Sequence, residues 1–170
     1  MKNRTKGFSM IELIIVIAII GILTAVSSLS FDYIKAGNTR SAAKTIDSNL
    51  SKLKLDTMSK ELKPYMYIYN IGGSYYMYCT AKTVSNAELT ADVGTKIANG
   101  NVKIFHGIGN NREEIKQGSP CKVGFKKGSG AFVDSAPSGI SVQRADGKGL
   151  IYEVVIVKAT GKHYVETKSK

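Results

Sequence analysis

The chain has 170 residues, 43% of them hydrophobic, and a formal net charge of +11. That excess favours acidic partners such as DNA, anionic polymers or phospholipid surfaces, and it carries no information about fold. Its two cysteines are too few for a cysteine zinc site, and with the first 35 or so residues committed to an apolar segment, roughly 100 to 130 remain, enough for one domain with a modest core.

The chain opens with Lys2, Arg4 and Lys6 and no acid among them. From Gly7 to Val26 it reads GFSMIELIIVIAIIGILTAV, and no charged residue occurs between Leu13 and Phe31. Such a run matches the ~20 residues a helix needs to cross a bilayer. It is apolar on all sides, so its expected surroundings are lipid or a protein bundle. The basic start is the bias that keeps an N-terminus cytoplasmic, which places the remainder outside.

Glu12 makes this run specific. A carboxylate inside a membrane helix costs roughly 2.5 to 3.5 kcal/mol on insertion scales, so a plain anchor gains nothing by carrying one. No Lys or Arg lies within the run. The nearby cation that can be made is a new amino terminus, if the chain is cut before Phe8. An ammonium and a carboxylate about 4 Å apart attract by ~4 kcal/mol at an effective dielectric near 20, comparable with the insertion cost.

A short basic leader ending in Gly7, then Phe8, the small hydroxyl residue Ser9, the pair Met10-Ile11, Glu12 at the fifth position after the glycine, and an apolar helix containing Gly21 together resemble a type IV prepilin or a closely related pseudopilin. The resemblance covers residues 1 to 26 and fades beyond about residue 62. It implies that a prepilin peptidase cuts between Gly7 and Phe8, that the new Phe8 amine is N-methylated, and that Glu12 pairs with the Phe8 amine of a neighbouring subunit. Many pilins have Pro where Leu29 stands and Thr where Ser9 stands. The missing Pro implies a straighter helix or a bend elsewhere. Two plainer alternatives are a secretory signal cut after Ala25-Val26-Ser27, for which the apolar core is too long, and an uncut signal anchor, which leaves Glu12 unexplained.

From Ser27 to Leu62 charge returns and the helix becomes amphipathic, with Ala43, Ile46, Leu50 and Leu53 on one stripe extended by Leu55, Met58 and Leu62. Gly37-Asn38 is a weak point where a bend is expected, and Pro64 ends the pattern. A continuous helix from Phe8 to Leu62 would run roughly 80 Å, its first half bare and its second packed on a domain, as in a lollipop. Tyr65 to Ile71 and Tyr75 to Cys79 around Gly72-Gly73-Ser74 predict an aromatic-rich hairpin; half its tyrosines facing the core is the simpler reading, an adhesive or stacking surface the other. Ser85 or Asn86 can cap a short helix through Leu89, Val93 and Ile97. Val102 to His106 predicts a strand, and Arg112 to Lys116 one helical turn with Glu113 and Glu114 on a solvated face. Gly107 and Gly109 lack the spacing and the Lys-Ser/Thr ending of a phosphate loop and read as turn residues.

Cys121 to Phe125 and Ala131 to Asp134 are short strand candidates. Ile140 to Arg144, Leu150 to Lys158 and His163 to Thr167 predict an antiparallel meander whose middle member, the most apolar, is expected to be central. A helix laid across an antiparallel sheet is the α+β class, and it is also what the pilin resemblance implies. The expected division is a leader, 1–7, an apolar assembly helix, 8–36, and an α+β head with the second half of the helix, 37–170.

No catalytic constellation is present: His106 and His163 stand alone, and no H-E-x-x-H or D-x-D-x-D pattern occurs, so neither enzyme chemistry nor a cofactor or metal is expected. Cys79 and Cys121 form an even pair in a domain placed outside the membrane, where disulfides persist. A bridge, worth on the order of 3 to 4 kcal/mol, is favoured over two buried thiols. Removing Lys2, Arg4 and Lys6 takes three from +11 and leaves +8. Lys122, Lys126, Lys127, Lys148, Lys158 and Lys162 make a candidate polyanion surface for DNA, with a solvated lysine surface as the simpler alternative.

The expected function is a structural subunit, a major or minor type IV pilin, anchored in the cytoplasmic membrane and then polymerised into an extracellular filament for adhesion, motility or surface interaction. Its partners would be other pilin subunits, the prepilin peptidase and the assembly platform. The alternatives are a pseudopilin of a type II secretion or DNA-uptake machine, and a monomeric anchored binding domain. Amino-terminal sequencing of the mature protein separates the processing routes: Phe8 is the expected first residue, whereas Ser28 marks a secretory signal and Met1 an uncut anchor.

Overall fold

A computed structural model describes residues 8–59 and 64–169, with the side chains of 26–31 outside the description. The chain forms two compact units, Met1–Ile34 and Lys35–Lys170. One helix, α1 (Met10–Ser59), enters both. It runs unbroken through Leu29 and through Gly37-Asn38, where a bend is expected, and Thr39 Oγ1 donates to the Lys35 carbonyl at 2.9 Å just beyond.

In the first unit the described side chains of α1 are exposed on every side. Among the described residues no helix is long and apolar enough to cross a membrane. The part of the apolar run with described side chains, Met10 to Ala25, rises roughly 24 Å, short of the ~30 Å hydrocarbon core that the whole run is expected to span.

In the second unit the same helix is amphipathic. Ala42, Ala43, Ile46, Leu50 and Leu53 are buried, as the 3.6-residue period requires. The stripe continues through Thr57, whose hydroxyl donates to the Leu53 carbonyl at 2.7 Å, and not through Leu55 and Met58, which are 66% and 52% exposed. Leu55 lies about 200° around the helix from Leu53, on the opposite side, so its hydrophobicity cannot reach the core. Leu62 lies outside the described residues.

Nine strands among the described residues form two antiparallel sheets where one is expected. The first contains β1 (Tyr65–Ile71), β2 (Ser74–Thr80), β3 (Thr95–Ala98) and β6 (Cys121–Gly124), in the order β3-β2-β1-β6. The expected hairpin is present, closed by Gly72 and Gly73 at φ of 56° and 78°, the pair of positive values that a two-residue turn between twisted strands demands. The second contains β4 (Val102–His106), β5 (Glu113–Glu114), β7 (Gly139–Arg144), β8 (Ile151–Val157) and β9 (Lys162–Lys168), in the order β5-β4-β7-β8-β9. The predicted meander is its last three strands. Its centre is β7, buried almost throughout, while β8 lies one place nearer the edge.

Two helical expectations fail locally. Only a 3-10 turn, Asn86–Glu88, forms after Ser85, and Ile97 belongs to β3. Its Glu88 carboxylate takes hydrogen bonds from the Ser85 amide at 2.6 Å and hydroxyl at 2.8 Å, but Thr90, Gly94 and Thr95 do not carry a helix further. Glu113 and Glu114 form the edge strand β5 against Phe105 and His106, where the Lys103 ammonium lies 3.1 Å from Glu114 and His106 Nε2 lies 3.5 Å from Glu113.

One core joins the α1 stripe to both sheets through Met66, Ile68, Val123, Ile104, Ile140 and Val154. Polar contacts pin the helix along the five-stranded sheet. Lys35 lies 3.9 Å from Asp146, Ser51 Oγ is 2.9 Å from His163 Nε2, and Lys54 Nζ donates to the Gly161 carbonyl at 3.0 Å. A second cluster lies on the other face of the four-stranded sheet, where Leu89 and Val84 cover Tyr67, Tyr69, Tyr76 and Tyr78. Tyr75 alone of the hairpin tyrosines joins the main core.

The favoured disulfide is absent: Cys79 and Cys121 are both free, the first exposed and the second buried. They lie on the strands flanking β1, opposite Met66 and Ile68 respectively. Two strand spacings and a two-residue offset separate their Cα atoms by about 12 Å, well beyond the ~7 Å limit for a bridge. Burial pushes the Cys121 thiol up to about 12 and raises that of Cys79 as well. In the native protein a thiol reagent is expected to label Cys79 alone, with Cys121 reacting only on unfolding and reductant leaving the melting temperature unchanged; a reductant-sensitive melt would contradict the strand register.

Candidate assembly site

Backbone chemistry sets the start of α1. The first amides of a helix lack intrahelical acceptors, and a Ser-x-x-Glu pattern can satisfy two of them reciprocally. Ser9 stands just before Met10, and its Oγ accepts from the Glu12 amide at 3.3 Å. Glu12 Oε2 in turn accepts from the Ser9 amide and from the Ser9 hydroxyl, each at 3.2 Å. Glu12 is thus a helix cap with a local partner, as well as a charge in an apolar run. That role was readable in the Ser9-x-x-Glu12 spacing, although the charge argument passes over it.

The carboxyl group lies at the helix N-terminus, where the macrodipole favours a negative charge. Both bonds from Ser9 fall on one oxygen, Oε2, so the other can accept a further donor without breaking the cap. Around this polar point the surface is apolar. Phe8 is 81% exposed, Met10 82% and Ile11 68%, and from Leu13 to Leu23 every large aliphatic side chain is exposed by 45% or more. A contiguous apolar surface of this kind marks an association or membrane surface. Gly7, the predicted processing residue, lies outside the described residues.

Residues 2–28 match the prokaryotic N-terminal methylation motif. This motif is the class III signal peptide of type IV pilins and pseudopilins, and it identifies the N-terminal segment of the chain as pilin-like, with peptidase cleavage and methylation as its associated processing. It is a structural motif and not an enzyme signature. No curated protein matches the chain, and no solved structure does. The matched stretch contains Gly7, Phe8 and Glu12, and the capping box joins Ser9 to Glu12.

The remaining predicted residues do not gather at one place. Lys122 lies on β6 with its ammonium 3.9 Å from the Tyr65 ring centre and 5.6 Å from that of Tyr67, on the outer face of the four-stranded sheet. Lys148 follows the Arg144-Asp146 ion pair in the turn between β7 and β8. Lys158 and Lys162 flank the turn at the other end of β8, and Lys126 and Lys127 open the loop beside it. Only these last four converge. Lys54 of α1 joins them, a residue that sequence pattern alone assigns to a helix surface and nothing more.

Replacing Ser9 by Ala removes the hydroxyl bond to Oε2 and the acceptor for the Glu12 amide, and keeps the bond from the residue 9 amide. A loss of about 0.5 to 2 kcal/mol of local helix stability is expected, read as faster amide exchange at residues 10–13 with exchange in the second unit unchanged.

Proposed function

We propose that the chain is a type IV pilin-like subunit that is cut between Gly7 and Phe8, methylated on the new amine, and polymerised through its N-terminal helix into an extracellular filament. The observation that supports this best is the coincidence of the N-methylation motif over residues 2–28 with a helix whose apolar side chains are exposed on every side. Before assembly the apolar run holds the subunit in the cytoplasmic membrane with its N-terminus inside. In the filament the same surface is covered by the helices of other subunits, and the basic α+β units face outward. Assembly is heterologous and open, one face of a subunit meeting a different face of the next, so it continues as a helical polymer.

Glu12 directs docking in this scheme. Its carboxylate accepts the Phe8 ammonium of a neighbouring subunit, while Ser9 holds it at the helix start. The peptidase and an assembly platform act on the precursor, and adhesion, motility or surface attachment would be carried by the finished filament. A pseudopilin of a secretion or DNA-uptake machine uses the same processing and differs in the length of polymer it makes. A monomeric anchored binding domain would need neither the cut nor the charge on Glu12.

Two substitutions separate the charge from the cap. Glu12→Gln keeps an N3 side chain able to cap the helix and removes the charge, whereas Glu12→Ala removes both. Both variants are expected to enter the membrane and to be cut before Phe8, yet to be lost from sheared filaments by tenfold or more, measured by quantitative mass spectrometry. Assembly of Glu12→Gln at the wild-type level would overturn ion-pair docking, and absence of the wild-type chain itself from sheared filaments would leave the anchored-monomer alternative.

A further inference from the structure

At one end of the Lys35–Lys170 unit, remote from the point where Lys35 meets Asp146, five lysines come from three separate stretches of chain. Lys54 belongs to α1, Lys126 and Lys127 to the loop after β6, and Lys158 and Lys162 to the two sides of the β8–β9 turn. The backbone fixes them close together. The Phe132 amide donates to the Lys158 carbonyl at 3.0 Å and the Gly130 amide to the Lys126 carbonyl at 2.8 Å, so the 126–132 loop is tied to the end of β8. Gly130 and Gly161, at φ of 64° and 65°, then approach so closely that a Cβ on Gly161 would run into the Gly130 carbonyl. Lys54 lies across this junction, donating to the carbonyls of Thr160 at 3.3 Å and Gly161 at 3.0 Å.

Among the described residues the acid paired within this group is Asp134, which is 92% exposed. Lys126 Nζ is 2.8 Å from its carboxylate, and Lys158 Nζ donates to its backbone carbonyl at 3.3 Å. The Lys126 ammonium holds the Asp134 carboxyl below its ordinary range. Two ammonium groups therefore converge on one residue, and among the described residues no ion pair is found at Lys127 or Lys162. Lys162 stands 5.9 Å from the ring centre of Tyr164, which is 44% exposed on the outward face of β9.

We propose that this lysine end is a nucleic-acid contact surface that reads phosphates without regard to base sequence. Lysine ammonium groups are hydrated point charges, suited to tracking a phosphate chain and unsuited to bidentate base recognition. Several of them on a braced loop and turn supply a row of cations, and the exposed Tyr164 ring offers a face on which an unpaired base can stack. Bilayer headgroups are the less suitable partner, because they offer the exposed Tyr164 ring no base to stack on. The proposal does not depend on filament assembly, and it excludes Lys148 and Lys122, which lie elsewhere on the unit. The hairpin tyrosines have no part in it, since Tyr67 and Tyr69 are buried beneath Leu89.

The test uses the full chain in a non-ionic detergent and a short duplex DNA followed by fluorescence anisotropy at 50 and 200 mM salt. Four phosphate contacts predict an affinity that falls roughly 10²-fold over that interval. The triple variant Lys127→Ala, Lys158→Ala, Lys162→Ala should bind at least tenfold more weakly at 50 mM and show a shallower salt dependence, while Lys148→Ala with Lys122→Ala should match the wild type. An unchanged circular dichroism spectrum and melting temperature for the triple variant guard against a folding defect. Absence of binding at low salt overturns the proposal, as does equal weakening by the two sets of substitutions, which would mean that net charge alone is responsible. Binding to vesicles of anionic phospholipid with none to DNA would overturn it in favour of a lipid surface.

Discussion

Water cannot solvate the first sixteen or so residues of α1 without a large cost, and that constraint governs the rest of the molecule. Burying a single aliphatic side chain contributes about 1.5 to 3 kcal/mol, and from Phe8 to Leu23 a dozen large apolar side chains are left uncovered by the chain's own fold. In the function proposed above, the missing contacts come from lipid or from other copies. A single polar device at the head of the helix, Ser9 with Glu12, decides how that surface begins.

One helix thus serves two solvents. In the apolar part the side chains give no direction around the axis, so many neighbours can be accommodated. In the amphipathic part Ala42, Ile46, Leu50 and Leu53 admit one orientation only, and Lys35, Ser51 and Lys54 fix it further by polar contacts to the five-stranded sheet. The buried Glu153 performs a similar office within that sheet. Its Oε1 accepts from the Gly109 amide at 3.0 Å and its Oε2 meets Lys168 at 2.8 Å, which ties the loop after β4 and the end of β9 to β8.

Periodicity made the long helix, the Tyr hairpin and the last three strands legible, since each is a sustained pattern with a turn or breaker at its boundary. The pilin-like character of residues 2–28 was equally plain in their local pattern. What the pattern left out was non-local. Two short apolar runs, Val102 to His106 and Cys121 to Gly124, do not reveal that they belong to different sheets, and Glu113-Glu114 reads as a helix face until Lys103 and His106 are seen beside it. The cysteines illustrate the same limit: an even count invites a bridge, but the register places β1 between them. The lysines were a compositional signal whose partition among three places depends on which turns meet, and Lys54 entered only through its contact with Gly161.

The contact between Ser51 on α1 and His163 on β9 joins residues 112 apart in the chain. Loop closure over such a separation is entropically slow, and non-local topologies of this kind take the longest to form. The apolar run leaves the ribosome well before β9 exists, so it meets its first neighbours while the core-facing side of α1, Ala42 to Leu53, still has no sheet to cover it. The half-made chain is consequently exposed along two apolar surfaces at once, and in the membrane-held precursor proposed above early capture of the first removes one of them from the competition that leads to aggregation.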